Sequence, residues 1–212
     1  MIAENKFAMD ELNTRGRADM NHIKKTEFSD DSDDRNIYLF GIIDIDTLTK
    51  CINRLIYLES IDSTREITIY INAFGDDFMN GFAIYDYIDS MHTNVKTICI
   101  GKAENSAAIV FLAGRERIMS KHSVIEITDN FKHNMALSVY KIDEIENIME
   151  RLDQLSNMIS EVILDNSKLG MFEVCDMLNS NGAFFTQSDA EKAGIITAKL
   201  HNTERSKPHQ RS

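Results

Sequence analysis

The sequence has no tryptophan, one proline and three cysteines, and it lacks a long apolar run. The cysteines, Cys51, Cys99 and Cys175, show no Cys-x-x-Cys or Cys/His spacing. That pattern excludes the common zinc and disulfide frameworks and favours a reducing compartment. The longest apolar run, residues 107–113, is too short to cross a bilayer, and the N-terminus has no signal-peptide core. We therefore expect a cytoplasmic protein that uses no metal and no cofactor.

Positive charge is also scarce, because 34 acidic residues against 23 basic ones leave a net charge of -11. Nucleic acids and anionic membranes bind basic surfaces, so this balance argues against both as partners. The 212 residues, 43% hydrophobic and 27% charged, fit one globular domain.

Apolar periodicity predicts alternating strands and helices. Buried strands are predicted at residues 37–42, 67–71, 95–100 and 124–128, and helices at 46–58, 81–91, 107–113 and 138–164. Asp46 is the expected cap of the first helix. The last helix would be about 40 Å long and would protrude or pack against another subunit. The alternation indicates a layered α/β domain.

Several dispersed motifs resemble the proteolytic subunit family of the Clp proteases. They are YLESIDSTREITIYIN at 57–72, GFAIYD at 81–86, TICIG at 97–101, Ala-Gly at 113–114, AEKAGII at 190–196 and NTRGRAD at 13–19. The resemblance implies the ClpP/crotonase fold, an α/β fold of repeated ββα units with a long protruding handle helix. It also implies ring assembly and an ATP-driven AAA+ unfoldase as partner.

The same resemblance divides the chain into three parts. Residues 1–35 form a segment like the family's axial entrance, with an acidic insertion at 29–34, and residues 36–200 form the ClpP-like domain. Residues 201–212 are expected to be a flexible tail.

The family's catalytic serine, histidine and aspartate fall on other residue types in this sequence. The nucleophile motif G-x-A-A-S-M-G aligns with residues 101–107, which places Asn105 at the serine. Thr128 takes the position of the histidine and Gly182 that of the aspartate. An amide has no proton that a histidine can usefully remove, and a threonine hydroxyl is no general base near neutral pH.

The neighbouring family positions have changed as well. Asp76 replaces the second glycine of the oxyanion segment, and Ser106 takes the other oxyanion-equivalent position. The glycine-rich stretch that lies along a bound peptide reads DNFKH at 129–133. At the unfoldase dock, Thr68 and Ser90 stand where aromatic residues are usual, while Tyr70 is kept.

These substitutions predict a non-catalytic pseudoprotease subunit, not itself an enzyme. It would form rings alone or with active Clp subunits and modulate or scaffold their complex, with no nucleic acid or membrane partner. The asparagine- and isoleucine-rich composition favours a bacterium or a phage-infected cell over an organelle.

Three alternatives stay open. One is a rearranged serine endopeptidase site with Ser106 as nucleophile and His122 or His133 as base. The second is a module that binds Ca²⁺ or Mg²⁺ through Asn105 and the acidic pair Asp76 and Asp77. The third is an acyl-CoA enzyme of the wider crotonase superfamily.

Overall fold

The computed structural model describes residues 34–128, 142–180 and 182–200, without the side chains of 142–146. The strands are β1 (Asn36–Ile42), β2 (Ile67–Gly75), β3 (Val95–Asn105), β4 (Glu116–Met119), β5 (Val124–Ile127), β6 (Ala183–Thr186) and β7 (Ala198–Lys199). The helices are α1 (Ile45–Ile61), α2 (Phe78–Ser90), α3 (Ser106–Leu112), α4 (Ile142–Asp165), α5 (Met171–Asn179) and α6 (Gln187–Lys192).

Seven strands from the described ranges form one sheet, and five of them follow the order β1-β2-β3-β4-β7. All neighbours along this path are parallel, as expected where helices connect the strands. The pairing of β2 with β3 shifts between Ile71 and Ala73, which face Cys99 and Ala103. Beyond this bulge β3 leaves β4 and pairs with β5, and β5 pairs antiparallel with β6. The last third of β3 therefore belongs to a second group of strands, where the candidate site lies.

Helix α1 begins one residue earlier than its apolar spacing predicts. Its cap is Asp44, whose carboxylate accepts a hydrogen bond from the backbone N–H of Thr47 at 2.8 Å. The prediction that Asp46 caps this helix is wrong, because Ile45 already lies in the first turn although it is exposed. Asp46 instead lies within that turn, where its negative charge interacts favourably with the helix dipole.

The sheet is buried on one face, where Ile67, Ile69 and Ile71 of β2 pack beneath the helices. Helix α3 is buried over its whole length, as expected for a helix that is apolar all round. On the other face Tyr38 stacks on Tyr70 with ring centroids 5.3 Å apart. The central strands are thus covered on one face and half-exposed on the other, whereas we predicted buried strands.

Helix α4 corresponds to the predicted helix at 138–164, of which residues 138–141 lie outside the described ranges. Within those ranges, no helix combines the length and the hydropathy that a membrane span requires.

Candidate active site at the turn between strand β3 and helix α3

The candidate site is built around a sharp strand-to-helix turn. Strand β3 ends at Asn105 and α3 begins at the next residue. Asn105 has φ 53° and ψ -112°, and among the described residues it alone combines a positive φ with a side chain. Hydrolases use such a strained turn to present a nucleophile. Gly81 lets α2 approach this turn, because a Cβ there would lie 2.6 Å from the carbonyl oxygen of Ser106.

At this turn Asn105 is paired with Thr128. The Asn105 Oδ1 accepts hydrogen bonds from the backbone N–H of Thr128 at 2.8 Å and from its hydroxyl at 3.3 Å. The Asn105 Nδ2 donates to the same hydroxyl oxygen at 3.1 Å. Asn105 is 1% exposed, so these bonds satisfy an amide that has almost no access to water. The positions assigned to the serine and the histidine are therefore in direct contact, although they lie far apart in the sequence.

Gly182 lies beside this pair. Its φ is +88°, and a Cβ at this position would lie 3.0 Å from the Cα of Thr128 and against the carbonyl oxygen of Ile127. A side chain is strained here on both counts. The three positions that the family alignment assigns to the triad are thus adjacent in the fold, and they hold an amide, a hydroxyl and a bare backbone.

Ser106 is fully buried, and its hydroxyl donates to the carbonyl oxygen of Gly75 at 3.0 Å. This bond ties the start of α3 to the end of β2. Of the two histidines considered as its base, His122 is exposed and lines a separate cavity of about 650 Å³ with Ile100 and Leu200. His133 lies outside the described residues.

The acidic pair lies at the rim of the turn. Asp76 and Asp77 are both exposed, and the Asp77 carboxylate caps α2 by accepting from the backbone N–H of Met79 at 3.0 Å. The side-chain oxygen of Asn105 is buried and accepts two hydrogen bonds from Thr128, whereas both carboxylates lie at the surface. In the described part of the chain, no group of three His, Cys, Asp or Glu side chains is arranged to hold a metal ion.

Sequence reasoning missed a charged cluster next to the turn. The ammonium of Lys102 bonds the carboxylate of Glu104 and lies 4.7 Å from the centre of the Phe74 ring. Phe74 and Glu104 are direct partners in the pairing of β2 with β3. The signal was available in the two-residue period of the strand, which places Lys102 and Glu104 on one face.

The residues assigned to an unfoldase dock lie on or near the half-exposed face of the sheet. Thr68 and Tyr70 are partly buried on β2, and Ser90 is exposed at the end of α2. The sequence analysis missed Tyr38 and Phe40, which extend this aromatic surface onto β1 in an edge-to-face pair with centroids 5.8 Å apart. Their two-residue spacing is the signal that would have found them.

Comparison with known proteins gives a consistent result. The family model "Clp protease" matches residues 21–202. The ATP-dependent Clp protease proteolytic subunit of Bacteroides thetaiotaomicron is 29% identical over 79% of this chain and 74% of its own length. That of Borreliella afzelii is 32% identical over 77% of this chain and 81% of its own. Proteolytic subunit 1 of Borreliella burgdorferi is 31% identical, covering 79% and 84%.

Solved structures agree on the fold. A ClpP1 mutant from Listeria monocytogenes superposes with a TM-score of 0.64 at 20% identity, covering 81% of this chain and 94% of its own. A structure described only as that of an enzyme gives a TM-score of 0.70 at 22% identity, covering 82% of this chain and all of its own. The predicted ClpP-like α/β fold is confirmed.

These findings correct one prediction. We predicted that the chain is not an enzyme, but the relatives that match it over most of their length are named proteolytic subunits, which are peptidases. The prediction was drawn from substitutions at the triad, oxyanion and peptide-binding positions, whereas the comparison spans the whole domain. With a family model that covers nearly all of the chain and relatives above 30% identity, this chain belongs to the Clp protease family.

Proposed function

We propose that this chain is a ring-forming subunit of a Clp-type protease complex, built from its own copies or mixed with other Clp subunits. The assembled ring then hydrolyses peptides, and the rate of hydrolysis depends on whether this chain is part of the ring. The relatives' names supply the activity, ATP-dependent proteolysis. Because these relatives come from bacteria, we place the complex in the cytoplasm of a bacterial or phage-infected cell.

The observation that carries the assembly proposal is the exposed apolar surface around α4 and α5. Phe172 is 83% exposed, Met171 60% and Met149 53%. Met171 and Phe172 are neighbours at the start of α5, and adjacent side chains of this size that stay exposed indicate a protein partner. Helix α4 has 24 residues and is about 36 Å long, enough to reach a second chain.

The aromatic face of the sheet supports a second contact, with an AAA+ unfoldase. Tyr38, Phe40 and Tyr70 offer stacked rings on the half-exposed face, and Phe40 is 39% exposed. Aromatic rings are enriched where protein partners bind. Thr68 on the same face is small, so we expect this dock to be shallower than one lined throughout by aromatic residues.

Native mass spectrometry of the purified full chain tests assembly. The chain is measured alone and after co-expression with a Clp subunit that carries a complete Ser-His-Asp triad. We expect a ring-sized particle that contains this chain in at least one preparation. Monomers in both preparations would contradict the proposal.

Peptidase assays on the same fractions test the link to proteolysis. A fluorogenic peptide should be cleaved by co-expressed rings at a rate that differs from that of rings of the companion alone. A fluorophosphonate label mapped by peptide mass spectrometry then shows which serine reacts, and label on Ser106 would support the rearranged site. Equal rates for mixed and companion rings would argue against a functional role for this chain in the ring.

A further inference from the structure

The backbone at Asn105 places the next amide nitrogen beside its own side chain. Viewed along the bond from Cα to the carbonyl carbon, the other three substituents of Cα in an L residue are spaced about one third of a turn apart. With ψ at -112°, the backbone nitrogen of Ser106 is therefore nearly eclipsed with the Cβ of Asn105. A five-membered ring through Cα, Cβ, Cγ, this nitrogen and the carbonyl carbon needs that arrangement. We propose that Asn105 is a self-modification site, at which the side-chain amide cyclises onto the backbone of Ser106 and is converted to an acid.

Two donors favour attack on the Asn105 amide carbon. The Oδ1 receives the backbone N–H of Thr128 at 2.8 Å and the Thr128 hydroxyl at 3.3 Å. Negative charge develops on this oxygen when a nucleophile adds to Cγ, and preorganised donors stabilise such charge. Thr128, at the position of the family's histidine, thus forms a small oxyanion hole directed at the Asn105 amide.

The attacking nitrogen has no acceptor within its own helix. Ser106 is the first residue of α3, and the N–H groups of the first turn lie beyond the helical hydrogen-bond ladder. Its side chain is fixed separately, by the bond from the hydroxyl to the carbonyl oxygen of Gly75 at 3.0 Å. The nitrogen is therefore held in place without losing its proton to a helical bond.

The reaction balances without an outside oxidant or reductant. The Ser106 nitrogen forms a bond to the Asn105 Cγ, the bond from Cγ to Nδ2 breaks, and Nδ2 leaves as ammonia with the proton released by the Ser106 nitrogen. The product is a succinimide. Water then opens the ring at either carbonyl, which yields aspartate or isoaspartate at position 105. Because the site is 1% exposed, we expect the succinimide itself to accumulate before hydrolysis.

The chain carries its own controls for local sequence. Asn166 and Asn179 are also followed by serine, but Asn179 is the last residue of α5 and Asn166 directly follows α4. Asn179 is exposed, so solvent access favours its reaction, whereas the backbone geometry favours that of Asn105. A higher rate at Asn105 would thus follow from the fold.

The experiment incubates the full chain in mildly alkaline buffer, folded and in concentrated urea, and follows tryptic peptides by mass spectrometry. Ammonia loss, acid formation and isoaspartate are counted together at each asparagine. Asn105 should react about 10-fold faster in the folded chain than in urea, while Asn179 should not. Asn105 reacting no faster when folded than in urea would overturn the proposal.

A variant tests the role of the donors. Thr128→Val keeps the shape of the side chain and the backbone N–H but removes the hydroxyl, and the rate at Asn105 should fall by roughly 3- to 10-fold. An unchanged rate in a folded variant would exclude the hydroxyl from the reaction. The comparison of folded chain with urea needs no variant, so it decides the proposal even where Thr128→Val fails to fold. Neither measurement depends on ring assembly.

Discussion

At the scale of single residues, the candidate site depends on Asn105, whose backbone and side chain are both constrained. Its backbone has a positive φ, and its buried side chain satisfies the N–H of Thr128. With ψ at -112°, this backbone lies outside the αL well that asparagine tolerates, so the turn is strained. The buried hydrogen bonds to Thr128 help to hold Asn105 in that conformation.

A pair of substitutions separates the contribution of the side-chain hydrogen bond from the cost of the positive φ. Asn105→Ala removes the acceptor, leaves the Thr128 N–H unpaired and should lower the free energy of unfolding by roughly 1–3 kcal/mol. Asn105→Gly loses the same bond but relaxes the backbone, so it should be more stable than Asn105→Ala by about 1 kcal/mol. Urea denaturation compares the two. An alanine variant at least as stable as the glycine variant would show that the positive φ costs nothing here.

At the scale of elements, helix α1 is fixed to the sheet by a buried thiol among leucines. Cys51, Leu55 and Leu58 of α1 are fully buried. Burial raises the pKa of the Cys51 thiol from 9.0 to about 12, because the thiolate has no water or partner charge there. The folded state keeps its proton when the unfolded state would already lose it.

The consequence is a loss of stability at alkaline pH. A raised pKa contributes stability that is complete below pH 9.0 and is lost as the pH rises towards about 12. Relative to Cys51→Ala, the natural chain should lose ~1.4 kcal/mol of unfolding free energy per pH unit in that window. Denaturation at a series of pH values measures the difference. Cys175→Ala, which removes an exposed thiol, should retain the full loss, and parallel curves for Cys51→Ala and the natural chain would refute the assignment.

Elements with a strong apolar pattern could be predicted from the sequence, including the four-residue β5, while the short strands β4, β6 and β7 could not. The predicted strand at 95–100 is the first part of β3, but its extension to Asn105 depends on the bulge opposite Asn72. The Asn72 side chain accepts the backbone N–H of Lys102 at 3.2 Å and so replaces a bond of the ladder. Strands as short as β4 and β7 exist only because neighbouring strands pair with them. No local pattern signals that.

The identity of the site residues could be predicted from the sequence, but their arrangement could not. Alignment to family motifs named Asn105, Thr128 and Gly182, and the fold brings all three together. Their mutual geometry was not predictable, because the bond between Asn105 and Thr128 joins the ends of two strands that pair only beyond the bulge in β3. The activity of the family likewise came from comparison over the whole domain, because the substitutions at the triad, oxyanion and peptide-binding positions had predicted an inactive subunit.

At the scale of the whole molecule, charge and apolar surface act on assembly in opposite directions. The net charge of -11 makes copies of the chain repel one another, and this repulsion weakens as salt is added. The exposed apolar side chains of Met171 and Phe172 at the start of α5 favour association, because burying one side chain of the size of Phe gains about 1.5–3 kcal/mol. Ring formation should therefore strengthen with salt.

Phe172→Glu tests this surface most directly. Because Phe172 is 83% exposed, its replacement should change the unfolding free energy of the isolated chain by no more than about 0.5 kcal/mol. In a ring, the same change places a charge in each apolar contact, so native mass spectrometry should show rings converted to monomers. Ser63→Glu adds the same charge in the exposed turn before β2 and should leave the rings intact. Intact rings of Phe172→Glu would place the assembly surface elsewhere, whereas loss of rings in both variants would attribute the effect to net charge alone.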